Sequence, residues 1–147
     1  MKKVFLGLLL PFVFSVGARA QITTTTAESI KDKAYKIVFQ LASNDTNVQK
    51  ALIRQVHNAL KSAPKSLIEV VCHSNGITML QTSITQQAKG IKGLKELGVV
   101  FAACENTLRE RKIDKSEIVG EAVFVPSGVI EIVDKETSGW AYLKAGF

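Results

Sequence analysis

The chain has 147 residues, which is enough for one ordinary domain and too few for two. Hydrophobic residues make up 46% and charged residues 22%, the balance of a folding globular protein, so general disorder is excluded. The formal net charge is +6, but no basic run is interleaved with aromatic residues. The composition therefore predicts no nucleic-acid partner.

The first twenty residues have the three parts of a bacterial secretory signal. Residues 1–3 are a basic start, residues 4–16 are an apolar run, and residues 18–20 form an Ala-x-Ala site. The run contains Pro11 and is shorter than the ~20 residues that span a bilayer, so a retained anchor is the weaker alternative. We expect cleavage after Ala20, a periplasmic mature protein, and no membrane association afterwards.

The mature chain divides into a leader and a folded domain. Residues 21–34 are rich in Thr and charge without hydrophobic periodicity, which indicates a flexible leader, and residues 35–147 form the domain. Loss of the three basic residues of the signal leaves 16 basic and 13 acidic residues, a formal charge of +3. The mature protein is therefore only mildly basic.

Short apolar runs alternate with amphipathic segments along the domain. The runs predict strands at residues 37–41, 67–72, 99–103, 122–125 and 140–143. Helices are predicted at 48–60 with a cap in 43–45, at 77–80, at 85–97 with an end at Gly98, at 107–112, and at 129–135 with Ser127 as cap. The alternation predicts an α/β fold, a three-layer α/β/α sandwich with a five-stranded, mostly parallel sheet in the flavodoxin-like order 2-1-3-4-5.

Small polar loops follow four of the predicted strands, at residues 42–44, 73–76, 104–106 and 126–128. Ligands of open parallel sheets bind beyond the carboxyl ends of the strands, where these loops lie. Such loops also serve as ordinary turns and helix caps. The cysteine in the third loop therefore directs the search for a site.

Cys104 ends an apolar strand and precedes a helix. A thiol at a helix N-terminus is exposed to the positive end of the helix dipole, which lowers its pKa. Arg109 and Arg111 add positive charge nearby, while Glu105 either opposes the effect or serves as a proton donor or acceptor. The alternative is a buried structural cysteine that acts as a small hydrophobic residue.

A second thiol, Cys72, ends the second predicted strand. In the order 2-1-3-4-5, the ends of strands two and three are ~9.6 Å apart. This exceeds the ~7 Å Cα separation that a disulfide allows. An intramolecular disulfide is therefore disfavoured, and Cys72 is predicted to be a packed thiol.

Other site chemistries have weaker support. Cys72, His73, Cys104 and Glu105 offer metal-ligand atoms, but the paired Cys-x-x-Cys or His-x-x-x-His spacing is missing, so no metal is predicted. Glycine-rich phosphate signatures and the Gly-x-Ser-x-Gly elbow of hydrolases are also missing, and no cofactor is expected.

Two segments of the chain resemble the DsrE/DsrF-like family of sulfur-relay proteins. They are Val100-Phe101-Ala102-Ala103-Cys104-Glu105-Asn106-Thr107-Leu108-Arg109, continuing to Glu117, and Val125-Pro126-Ser127-Gly128-Val129. The likeness extends from about Tyr35 to Leu143. The resemblance implies a five-stranded α/β/α fold, assembly into trimers or hexamers, and a cysteine that carries sulfur as a persulfide between proteins. That cysteine corresponds to Cys104, and Ser127 and Gly128 would line its cavity.

The combined expectation is a periplasmic sulfur or persulfide carrier, or a sulfurtransferase-like protein, that uses Cys104. Glu105 is the candidate acid or base. The candidate binding residues are Asn106, Arg109, His73, Asn75, Ser127 and Gly128. The expected partners are further copies of the chain and a protein sulfur donor or acceptor.

The alternative is a non-catalytic module that binds a small ligand or forms an oligomeric scaffold, with a structural cysteine. In that case Trp140 and Tyr142 would be interface anchors, although core packing also explains them.

Overall fold

The computed structural model describes residues 30–146. The predicted signal peptide and most of the predicted leader lie outside the described residues. Among the residues described, no helix combines the length and apolar character that crossing a membrane requires.

In the part of the chain that the structure describes, five strands alternate with four α-helices of more than one turn. The strands are β1 (Lys36–Leu41), β2 (Leu67–Cys72), β3 (Val100–Cys104), β4 (Ala122–Val125) and β5 (Ala141–Lys144). The helices are α1 (Thr46–Ser62), α2 (Ala88–Glu96), α3 (Glu105–Arg111) and α4 (Gly128–Thr137), with 3-10 helices at Ser74–Met79 and Lys115–Glu117.

Local signals explain where the helices begin and end. The side chain of Asp45 accepts a hydrogen bond from the backbone N–H of Asn47 at 2.7 Å, so it caps α1. Ser127 caps α4 in the same way. Gly98 has a φ of +88°, a left-handed conformation that suits glycine, and it ends the segment after α2.

All strand pairs are parallel, and the sheet order is β4-β3-β2-β1-β5. The predicted α/β class and five-stranded parallel sheet are confirmed. The predicted order 2-1-3-4-5 is wrong, because β2, β3 and β4 are added successively on one side of β1 and only β5 returns to its other side. Strands that are buried on both faces are apolar throughout, whichever strands lie beside them, so their sequence pattern does not distinguish the two orders.

The two faces of the sheet are covered unequally. One face packs against α1, α2 and Leu108 of α3, and it holds the larger core, which includes Phe39, Val70 and Phe101. Among residues 30–146, the other face packs against α4, through a smaller cluster of Val38, Val71, Ala102, Val125 and Ile132, with Trp140 beside it.

The strand order also corrects the argument about the two cysteines. β2 and β3 are neighbours, and Cys72 is paired in register with Ala103, one residue before Cys104. Because successive side chains alternate between the faces of a strand, Cys72 points into the larger core and Cys104 points toward α4. Both thiols are free. The disulfide is therefore prevented by opposite orientation, and the predicted strand separation was the wrong reason.

A buried ion pair holds α4 on the sheet. Lys135 Nζ lies 2.7 Å from Oε2 of Glu69 on β2 and 3.4 Å from Oε1 of Glu131. The same ammonium group lies 4.7 Å from the centre of the Trp140 ring. These contacts fix the position of α4, whose first residue lies at the candidate site.

Candidate functional site

The loops that follow β2, β3 and β4 meet around Cys104 at the carboxyl edge of the sheet. Cys104 is the last residue of β3 and the N-cap of α3, with extended backbone angles. The helix begins at Glu105, two residues before the predicted start. Cys104 is 4% exposed, so its sulfur is largely enclosed by protein groups.

Gly128, the first residue of α4, is in direct contact with this cysteine. Its backbone N–H donates a hydrogen bond to Sγ of Cys104 at 3.2 Å. A Cβ atom at position 128 would lie 3.1 Å from Cβ of His73, 3.2 Å from Cγ1 of Val71 and 3.3 Å from Cβ of Cys104. Glycine therefore permits the close approach that brings the N-terminus of α4 to the sulfur.

The surroundings of the sulfur lower the pKa of the Cys104 thiol below its ordinary value. Burial by itself raises this pKa, but the hydroxyl of Thr107 and the N–H groups of Gly128, Thr107 and Asn106 stabilise the thiolate more strongly. The hydroxyl oxygen of Thr107 accepts a hydrogen bond from the N–H of Ser74 at 3.0 Å, which leaves its proton available to the sulfur. Cys104 therefore has the electrostatic environment of a reactive thiol.

His73 adjoins Cys104 across Gly128 and is held by a short chain of hydrogen bonds. Tyr142 on β5 donates to Oε1 of Gln40 on β1. The amide nitrogen of Gln40 lies 2.8 Å from Nε2 of His73. Burial lowers the pKa of His73 and so favours the neutral ring, in which Nε2 can accept this bond. Nδ1 is then the protonated nitrogen of the ring.

The other predicted site residues form a polar rim on α3 and the adjoining loops. Glu105 forms an ion pair with Lys115, and Arg109 donates to the side chain of Asn106. Asn75 accepts a hydrogen bond from the guanidinium of Arg111, which ties the loop after β2 to α3. The hydroxyl oxygen of Ser127 accepts a hydrogen bond from the N–H of Ile130 at 3.5 Å and so caps α4.

The structure thus brings Cys104, His73 and Gly128 together and places the remaining predicted residues around them. Glu105 and Arg109 line a surface pocket of about 350 Å³ together with Lys112 and other residues of α3 and the following loop. The side chains of Glu105 and Arg109 therefore lie on the outer side of α3.

Three polar residues of the site were missed in the sequence. Thr107 was placed at the start of a helix, although the Cys-x-x-Thr spacing is that of an N-cap and its N3 residue, and could have revealed it. The sequence pattern assigns Gln40 to a buried strand, and it predicts Tyr142 to be a core residue or an interface anchor. Their contact needs β1 and β5 to be neighbours, which no local pattern indicated.

Metal chemistry finds no support in the part of the chain that the structure describes. Within residues 30–146, no group of three or more His, Cys, Asp or Glu side chains is close enough to hold an ion. The arrangement instead offers a thiol whose pKa is lowered, with the imidazole of His73 in the neighbouring loop. Such a pair is suited to nucleophilic attack on an electrophilic atom, which includes sulfur.

Comparison with known proteins agrees with this architecture. The model of the DsrE/DsrF-like family matches residues 22–145. No curated protein sequence matches the chain. One similar solved structure is that of the protein of unknown function MTH1491 from Methanobacterium thermoautotrophicum, with 34% identity over 75% of this chain and 98% of that chain, and a TM-score of 0.72. The chain belongs to the DsrE/DsrF-like family.

Proposed function

We propose that this protein is a periplasmic sulfur carrier in which Cys104 holds sulfur as a persulfide. The observation that supports the proposal most strongly is the hydrogen bond from the Gly128 N–H to the Cys104 sulfur at 3.2 Å. Because of this bond, the N-terminus of α4 and the N–H groups at the start of α3 both surround the same thiol. A persulfide carrier needs a thiolate at neutral pH, and this environment favours the thiolate.

The proposed reaction is a transfer of sulfane sulfur between thiols. The thiolate of Cys104 attacks the outer sulfur of a donor persulfide, a new S–S bond forms at Sγ, and the S–S bond of the donor breaks. The donor leaves as a thiolate, so no external oxidant or reductant is consumed. Delivery to an acceptor thiolate is the reverse reaction with a different partner.

The surrounding groups have distinct proposed roles. After transfer, the outer sulfur can lose its proton, and the ring of His73 is a proposed hydrogen-bond donor to the negative charge that forms there. The exposed guanidinium of Arg109 would attract an anionic sulfur species or an acidic segment of a partner. Glu105 remains the proposed acid or base, and Glu105→Gln tests that role because it keeps the shape of the side chain while removing its charge.

Intact mass of the mature protein after treatment with a low-molecular-weight persulfide tests the proposal. We expect a gain of about 32 Da, the mass of one sulfur atom, together with fast alkylation at neutral pH. Both should disappear in Cys104→Ala.

Cys72→Ala is the matched control. Cys72 is fully buried and burial raises the pKa of its thiol, so this variant should keep both the mass gain and the fast alkylation. A wild-type protein that gains no sulfur and reacts slowly would refute the carrier function.

Export is proposed from the N-terminal sequence pattern and needs its own test. When the full chain is expressed in a bacterium, the protein should be recovered from the periplasmic fraction with Gln21 as its first residue. Recovery of the uncleaved chain in the cytoplasm would contradict the export proposal without affecting the sulfur chemistry.

The second candidate function is a binding module or oligomeric scaffold with a structural cysteine. The 4% exposure of Cys104 supports it, because a carrier must admit a donor to the sulfur. A Cys104→Ala variant that keeps wild-type stability, assembly and ligand binding would favour this function over the carrier.

A further inference from the structure

An open groove lies between α1 and α2, on the face of the sheet opposite α4. It has a volume of about 720 Å³, and its floor and rim include the apolar side chains of Ile53, Leu94 and Leu97. A smaller hollow shares Leu97 with the groove and extends it to Pro64. The groove therefore runs along much of the length of the two helices.

The α1 side of the groove is basic. Lys50, Arg54, His57 and Lys61 follow one another at intervals of four, three and four residues, so they share one face of the helix, and all are exposed. Within residues 30–146, none of these four side chains forms an ion pair. The basic side of the groove therefore favours a partner that carries negative charge.

Two glycines leave part of the α2 side of the groove without side chains, while Lys89 and Glu96 also line it. Packing within one copy explains the glycine at position 90, because a Cβ atom there would lie 2.9 Å from Cγ2 of Ile53. At Gly93, by contrast, a Cβ atom would meet nothing within 4 Å. Glycine in a helix interior destabilises the helix relative to alanine, so packing within one copy does not account for Gly93. A glycine on an exposed face does allow a second helix to approach closely.

The exposed side of α4 has the complementary chemistry. Val129, Ile130 and Val133 are 56%, 64% and 48% exposed, so this helix presents apolar side chains on its outer side as well as toward the sheet. Asp134 and Glu136 are exposed on the same helix. With 10 residues, α4 is ~15 Å long, close to the ~16 Å that the basic residues of α1 span.

We propose that α4 of one copy docks into the α1–α2 groove of a second copy. The apolar side chains of α4 would cover Ile53, Leu94 and Leu97, while its carboxylates would face the basic residues of α1. This inference names the two surfaces of the homo-oligomer that the family resemblance implies, and it does not depend on the sulfur chemistry. Because the helix and the groove lie on opposite faces of the sheet, the contact is heterologous, and repetition of it produces a ring when the rotation closes.

Charge reversal on each surface, followed by mixing, tests the contact. The groove variant is Lys50→Glu with Arg54→Glu, and the helix variant is Asp134→Lys with Glu136→Lys. The mass of each is measured by sedimentation and light scattering over a range of concentrations. We expect self-association of the wild type and at least about a tenfold weakening in either variant alone, because like charges then face one another.

A mixture of the two variants should associate again, because each surface then meets its opposite charge. Lys95→Glu is the matched control, since Lys95 is exposed on α2 but lies outside the groove lining. This variant should associate like the wild type.

Gly93→Phe provides a second, uncharged test. The groove has room for the new side chain within one copy, so we expect the melting temperature to be kept while association is lost. A monomeric wild type would overturn the proposal and leave the groove to an acidic helix of another protein. An oligomer that is insensitive to all of these variants would also overturn it, by showing that assembly uses other surfaces.

Discussion

Substitution of Gly128 by alanine perturbs both the stability of the fold and the chemistry of the thiol. Alanine is favoured over glycine in a helix by up to ~1 kcal/mol. Against this, the new methyl group would lie 3.1–3.3 Å from three neighbouring atoms. Two of them are the Cβ atoms of His73 and Cys104, which are fixed by the backbone at the ends of β2 and β3. Only Val71 can rotate its contacting methyl group away.

Overpacking of this kind costs about 1–3 kcal/mol, so after an offset of ~1 kcal/mol the net expectation is a loss of up to about 2 kcal/mol in the free energy of unfolding. Relief of the contacts moves the N-terminus of α4 away from Cys104. A hydrogen bond to a charged group contributes about 1.5–3 kcal/mol. Its weakening should raise the pKa of the thiol and slow alkylation at neutral pH by about tenfold.

Urea unfolding measures the first effect, and the pH dependence of iodoacetamide alkylation measures the second. Gly93→Ala is the control, because a Cβ there has no neighbour within 4 Å. Measured on monomeric protein, it should stabilise the fold by up to ~1 kcal/mol and leave the alkylation rate unchanged. If Gly128→Ala keeps both the stability and the thiol titration of the wild type, the account of a thiolate held by the N-terminus of α4 is wrong.

Three further predictions concern the groups around the site. Folding lowers the pKa of Cys104 below its ordinary value of 9.0, so the stability of the wild type should rise with pH between the folded-state pKa and 9.0, and this gain is lost as pH falls through the folded-state pKa. Urea unfolding of Cys104→Ser across this range should lack that rise. A variant with the same pH profile as the wild type would contradict the lowered pKa. Thr107→Val removes the hydroxyl beside the sulfur, so alkylation at neutral pH should slow several-fold, and an unchanged rate would argue against its role. The variant also loses the hydrogen bond from the Ser74 N–H, so it should cost about 1 kcal/mol in the free energy of unfolding. Lys135→Met leaves the carboxylate of Glu69 buried without its main partner, so it should lower the free energy of unfolding by about 2–3 kcal/mol at neutral pH. The loss should shrink at acidic pH, because protonation neutralises Glu69. A loss that does not depend on pH would contradict this reason.

The local elements of this fold follow from short-range physics, and the sequence predicts them well. β2 and β4 begin and end at the predicted residues, because apolar runs bounded by polar turns have one favourable local conformation. Asp45 and Ser127 act as helix caps because their side-chain oxygens bond to N–H groups only two or three residues away. The position of Cys104 at a strand end is information of the same local kind.

The site required contacts that the sequence pattern does not contain. The approach of Gly128 to Cys104 depends on the register of β3 with β4 and on the pairing of Lys135 with Glu69, which seats α4 on the sheet. The hydrogen bonds from Tyr142 through Gln40 to His73 require β1 and β5 to be adjacent. These side chains are far apart along the chain.

The sequence by itself determined the alternation of strands and helices, their caps, the parallel α/β class and the cysteine at the end of the third strand. Only the tertiary structure decided the strand order, the opposite orientation of the two cysteines and the set of groups around the thiol. The reason is physical: propensity, capping and hydrophobic periodicity act over a few residues. The order of buried parallel strands is decided by how the helical crossovers pack on each face of the sheet.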